Sequence, residues 1–86
     1  MTSGLLIIIG PITTATRFEK KLHQNGVMSA RVIHTPAEFS SGGCSYSVVT
    51  SAKYLPVVLE FSKKYKIKEY YLIDNSGGKE VYHALS

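Results

Sequence analysis

Leu5-Leu6-Ile7-Ile8-Ile9 constrains this 86-residue chain more than any other segment. A continuous apolar run does not alternate between core and water, so residues 5–10 read as a strand buried on both faces. Five such residues are far too few to span a bilayer. The run also lacks the basic flank and small-residue cleavage site of a signal peptide.

Gly10-Pro11 ends this strand. Thr13 or Thr16 then offers a helix N-cap, the second with Glu19 three residues on as a capping box. Ala15, Phe18 and Leu22 recur at helical spacing, and Gly26 reads as the stop just past the helix. A second strand is expected at about Arg31–His34, followed by a long loop and a third strand at Tyr46–Thr50. A second helix starting near Tyr54 places Pro56 in the first turn, where its missing N–H costs nothing. Its inward stripe would be Leu55, Val58, Leu59, Ser62 and Tyr65. Residues Glu69–Asp74 read as a fourth strand, Asn75-Ser76-Gly77-Gly78 as a turn, and Glu80–Leu85 as a short returning strand. The order β-α-β-β-α-β is an α+β pattern and matches the split βαβ, or ferredoxin-like, sandwich. The expectation is one domain over residues 1–86, with an antiparallel sheet ordered 4-1-3-2 and two helices on one face.

Bulk properties narrow the function. Hydrophobic residues make up 44% of the chain and charged residues 19%, which fits an ordinary globular protein and argues against disorder. The single cysteine excludes an internal disulfide framework and a multi-cysteine zinc site. A free thiol points to a reducing compartment, so a cytoplasmic location is expected. The net charge of +4 favours an acidic partner. The basic residues cluster at Lys20-Lys21 and at Lys63, Lys64, Lys66 and Lys68. They read first as solvated helix surfaces and a helix C-terminus that favours cations. A surface for an acidic protein partner comes second, and nucleic acid is the weakest of the three. Tyr54, Tyr65, Tyr70, Tyr71 and Tyr82 lack the paired strand aromatics of an RNA-recognition module.

The one cysteine, Cys44, lies in the loop between the second and third strands. Gly42 and Gly43 precede it directly, and either could take positive φ and let the backbone approach a ligand closely. They could equally punctuate a hairpin, but a loop from Thr35 to Cys44 is longer than a hairpin requires. Ser40, Ser41, Ser45 and Ser47 surround the thiol with hydroxyls, whereas a core-filling cysteine usually sits among apolar neighbours. In the expected topology the first two strands run parallel, so their C-terminal ends share one edge of the sheet. The Cys44 loop would then share that edge with Gly10–Thr14, the N-terminus of the first helix and the lysines ending the second. A setting of that kind lowers a thiol pKa. Thr13 and Thr14 read as capping residues first and as contributors to an anion site second. Phe39 and Tyr46 flank the loop as anchors to the core. His34 reads as an edge-strand residue facing solvent, His23 lies on the outer half of a helix, and His83 is near the terminus. None shows ligand spacing, and no metal is expected.

The stretch Thr35-Pro36-Ala37-Glu38-Phe39-Ser40-Ser41-Gly42-Gly43-Cys44-Ser45 resembles a family of small bacterial selenium/sulfur carrier-like proteins. Those proteins commonly show Thr-Pro-x-x-x-Ser-Ser running into Cys-Gly or Gly-Gly-Cys-Ser. The resemblance extends from the first strand to about Asp74, and its specificity rests on residues 35–47. Ala37 stands where many relatives carry a basic residue, and the thiol is one place along relative to the Cys-Gly form. The resemblance implies transient carriage of sulfur or selenium on Cys44, between donor and acceptor proteins. Ser40, Ser41, Gly42, Gly43, Ser45, Thr13, Thr14 and Thr35 would surround the carried atom, with no cofactor. Lacking a second cysteine, the chain cannot resolve its own intermediate as an internal disulfide, so it reads as a carrier rather than a complete enzyme. The alternative is a non-catalytic ferredoxin-like module binding a small anion or a protein partner, with Cys44 structural. Self-association is compatible with either.

Overall fold

Apolar residues 5–9 build the inner part of strand β1 (Ser3–Gly10), which is paired on both sides. The computed structural model describes residues 3–39, 45–65, 67, 69–74 and 78–84. After β1 come helix α1 (Ile12–Gln24), strand β2 (Arg31–His34), a 3-10 turn (Ala37–Phe39) and strand β3 (Tyr46–Ser51). A second 3-10 turn (Ala52–Tyr54), helix α2 (Leu55–Lys64) and strands β4 (Glu69–Asp74) and β5 (Val81–Ala84) complete the order. The strands form one antiparallel sheet, β2-β3-β1-β4-β5. The expected four-strand order 4-1-3-2 is therefore replaced by a five-strand one, which reads 5-4-1-3-2 from the other edge. The physical reason is Val81–Ala84: these residues pair with the last four residues of β4, from Tyr71↔Ala84 to Asp74↔Val81.

The sheet buries its two faces differently. Leu5 and Ile7 share one cluster with Ala15, Phe18 and Leu22 of α1, Val48 of β3, and Val58 and Phe61 of α2. Both helices thus pack on the face carrying the odd-numbered side chains of β1. Leu6 points to the opposite face and is also fully buried, as a continuous apolar run requires.

Helix α1 begins earlier than either threonine cap predicts. Its N-cap is Pro11, with extended backbone and no side-chain cap, which puts Thr13 and Thr14 inside the first turn. Thr16 makes no capping box with Glu19. The Glu19 carboxylate instead accepts a 2.9 Å hydrogen bond from the Val32 N–H of β2. At the other end Gly26 has φ +89°. Its N–H donates to the His23 carbonyl, and the Val27 N–H donates to Leu22. This Schellman closure satisfies the last carbonyls of the helix. An L side chain at Gly26 must hold the left-handed conformation, at a cost of about 1–2 kcal/mol. Gly26→Ala is accordingly expected to lower the melting temperature by about 4–16 °C. A calorimetric scan with no shift would mean the turn relaxes freely.

Helix α2 follows the 3-10 turn and carries Pro56 in its first turn as expected. Its buried side chains are Val58, Phe61 and Ser62. Phe61 therefore enters the core where the expected stripe had Leu59, which is only partly buried. Ser62 Oγ is buried with no hydrogen-bond partner among the described residues. The edge of the Tyr65 ring meets Phe18, with centroids 5.4 Å apart. No helix among the described residues is long and apolar enough to cross a membrane.

Candidate functional site

The ends of β1, β2 and β3 that meet at one edge of the sheet position the described part of the site. Gly10 pairs with Tyr46 across a register shift that follows Ile8. Its φ of +115° explains the glycine, because the space where a Cβ would stand is empty. The chain then turns at Pro11 into α1, so Thr13 and Thr14 lie at the same end of the sheet as Tyr46. By the general arrangement of helix termini, the first-turn N–H groups have no intrahelical partners and carry the positive end of the helix dipole. On the other side of β3, His34 pairs with Tyr46. Their rings are 4.7 Å apart.

The Thr35–Ser45 connection is closed at its base. The Thr35 N–H donates to the Ser45 carbonyl at 2.9 Å. The Thr35 and Ser45 hydroxyls share a second hydrogen bond of 2.9 Å, and Thr35 and Ser47 share a third of 2.7 Å. Thr35 is 8% exposed and Ser47 0%. Among the expected site residues, then, Thr35 and Ser45 are brought into contact. Thr13 and Thr14 share their end of the sheet, but among the described residues neither hydroxyl bonds to them. Ser40, Ser41, Gly42, Gly43 and Cys44 lie outside the described residues. So do Lys66 and Lys68, while Lys63 and Lys64 close α2.

Phe39 is an anchor of a different kind from the one expected. Its ring does not enter the helix-covered core. It packs on the opposite face of the sheet, 4.5 Å from the Tyr71 ring and 5.0 Å from that of Tyr82, the latter edge-on. The Phe39 N–H donates to the Pro36 carbonyl, which forms the short turn that delivers the ring. Burial, followed by the nearby carboxylates of Glu80 and Glu38, holds the Tyr82 hydroxyl above its ordinary pKa. That hydroxyl donates to Glu80 Oε1 at 3.2 Å. Tyr46, the other flanking aromatic, packs against the main core.

The remaining histidines have separate tasks. His23 Nε2 donates to the Ala30 carbonyl at 2.6 Å, tying α1 to the turn before β2. His83 lies 3.9 Å from Asp74.

Ser47, expected only as one of the hydroxyls around the thiol, proves to be a bonded partner of Thr35, and Tyr82 went unrecognised as a partner of Phe39. Ser47 alternates with Tyr46 and Val48 along β3, so its placement on the other face of the sheet was available from strand periodicity. Tyr82 lies far along the chain from Phe39, and no local pattern joins them.

Thr35 and Ser45 close the base of the connection between β2 and β3 at one end of the sheet, and the sequence places Cys44 within that connection. Residues 5–73 match a family model described as "Putative Se/S carrier protein-like", a stretch running from β1 into β4. The chain belongs to that family. No curated protein and no solved structure matches it.

Proposed function

We propose that the protein carries a single sulfur or selenium atom on Cys44 between partner proteins. The observation that carries this reading is the family match over residues 5–73, a stretch that contains Cys44. In the sulfur case, the Cys44 thiolate attacks the outer sulfur of a donor persulfide, R–S–SH. The new S–S bond joins that sulfur to Cys44, the donor's own S–S bond breaks, and the donor leaves as the thiolate R–S⁻. Cys44 is then a perthiol and the donor is fully reduced, so no outside oxidant is needed. Return of the atom to an acceptor thiolate repeats the exchange in reverse. A chain with one cysteine cannot discharge its own perthiol as an internal disulfide, which leaves the atom available to a second protein. The Ser45 hydroxyl and the first turn of α1 lie at the end of the sheet from which the Thr35–Ser45 connection leaves, and donors of these kinds stabilise an anion. The exchange takes place in a reducing compartment, the cytoplasm.

The test uses a cysteine desulfurase with its substrate as donor. Wild-type protein is expected to gain the mass of one sulfur atom, and a reductant should remove it. Cys44→Ser is expected to gain none while keeping its melting temperature, because a hydroxyl forms no stable persulfide. Absence of an adduct with several donors, while the thiol still titrates, would overturn carriage in favour of a binding module with a structural Cys44.

A further inference from the structure

The charges of this chain are segregated by layer. Helix α1, the 3-10 turn over Ala52–Tyr54 and helix α2 all pack on one face of the sheet, and the Phe18–Tyr65 contact brings the end of α2 against α1. That layer carries six cations, Arg17, Lys20, Lys21, Lys53, Lys63 and Lys64, against two carboxylates, Glu19 and Glu60. The rest of the described chain reverses the balance, with Arg31 and Lys79 against Glu38, Glu69, Asp74 and Glu80. Five of the six cations are exposed, and Lys21 is partly buried. None of the six is ion-paired with a carboxylate among the described residues. Nor does the one carboxylate of α1 neutralise the outer face, because Glu19 is turned sideways to the Val32 amide of β2.

Ordinary helix electrostatics accounts for only part of this. Lysines in the last turn of a helix offset the negative end of its dipole, which covers Lys21, Lys63 and Lys64. Arg17 and Lys20 lie before the last turn of α1, on the side away from Ala15, Phe18 and Leu22. Lys53 precedes α2, at the positive end of that helix, where a cation is unfavourable. Two of the lysines are also held against rings. Lys53 Nζ lies 5.1 Å from the Tyr54 centroid and Lys64 Nζ 5.8 Å from that of Phe61. Such contacts restrain a flexible side chain in advance, so less freedom is lost when it meets a partner.

We propose that the outer surface of this helix layer is the docking face for an acidic protein, the donor or acceptor with which the chain exchanges its atom. The partner's role rests on the carrier reading; the surface itself does not. Opposite charge on the partner speeds encounter and orients the pair before close contact forms. A second copy of this chain is a poor occupant, because two molecules of net charge +4 repel one another. Nucleic acid is also a poor one. The exposed carboxylate of Glu60 interrupts the cations, and the rings of the layer, Phe18, Tyr54, Phe61 and Tyr65, are buried or partly buried rather than open for a base to stack on.

The experiment titrates the full chain with an oligoglutamate peptide at low salt and follows the backbone amides by NMR. Shifts are expected in α1, the 3-10 turn and α2, fading as added salt screens the charges. The double substitution Arg17→Gln with Lys20→Gln should weaken binding about tenfold. Both positions are exposed and glutamine forms helix about as readily as either residue, so the fold should stand. Arg31→Gln, on β2, removes a cation outside the layer and should leave the affinity within about twofold. Shifts confined to the strands, no binding at low salt, or equal loss from Arg31→Gln would overturn the docking face, the last because net charge alone would then explain the binding. Tighter binding of a single-stranded oligonucleotide of equal charge would overturn the choice of a protein partner. Self-association that the double substitution abolishes would assign the face to a second copy instead. Failure of sulfur loading with peptide binding intact would reject the carrier reading alone, and the converse result would reject the docking face alone.

Discussion

Phe18→Ala is expected to remove a large share of the stability of the fold. The ring is fully buried at the centre of the cluster joining both helices to the sheet, and it meets the Tyr65 ring edge-on. Truncating a buried phenylalanine costs about 3–5 kcal/mol, set against about 5–15 kcal/mol for a whole domain. Urea denaturation should show the midpoint cut by about a fifth or more, with some of the variant already unfolded if the wild type lies near the low end of that range. Tyr65→Leu keeps apolar bulk and loses the ring geometry, so it should cost about 0.5–1.5 kcal/mol. Equal effects from the two would place the Phe18 contribution in the ring pair rather than in burial.

Phe39→Ala is expected to act locally. Its ring is only partly buried, and its contacts are with Tyr71 and Tyr82 on the face that the helices leave uncovered. Losing them should cost about 1–2 kcal/mol. The loss should fall on the turn from Pro36 to Phe39 and the closure between Thr35 and Ser45. Amide exchange at Thr35 should accelerate about tenfold, while exchange in the β1 core keeps its wild-type rate. Phe39 also stands five positions before Cys44, so sulfur loading is expected to slow although the helices and sheet stay folded. Uniform acceleration across the sheet would show instead that Phe39 supports the whole fold.

The elements that local periodicity governs were legible from the chain alone. Ala15, Phe18 and Leu22 mark the buried face of α1 because helical spacing leaves them no other common side. Gly26 marks the end of α1 because only a left-handed residue permits the closing hydrogen bonds. The start of α1 was misread because Thr13 and Thr16 look like caps, whereas extended Pro11 already starts the helix. Phe61 was missed because the 3-10 turn over Ala52–Tyr54 precedes α2, and the helical phase cannot be set from Tyr54 alone. β5 was foreseen as a short return, but its register against Tyr71–Asp74 of β4 is a property of the paired strands that no local pattern sets. For the site, the meeting of Thr35 and Ser45 follows from their places at the end of β2 and before β3. The contact of Phe39 with Tyr82 depends on β5 and is invisible to any local pattern.

The hydrogen bond from the Val32 amide to Glu19 has a consequence for how this sheet can meet other chains. A sheet grows by offering the unpaired amides of an edge strand to an incoming one. Here the amide of Val32, within β2, is already taken by a carboxylate from α1. An intruding strand would have to expel that charge and present its own carbonyl in the same place. At the opposite side of the family-matched strands, β4 is covered by β5, itself only four residues long. The β2 flank is thereby guarded at Val32 against strand addition, whereas the other edge of the sheet is the four-residue strand β5, too short to template a long partner strand.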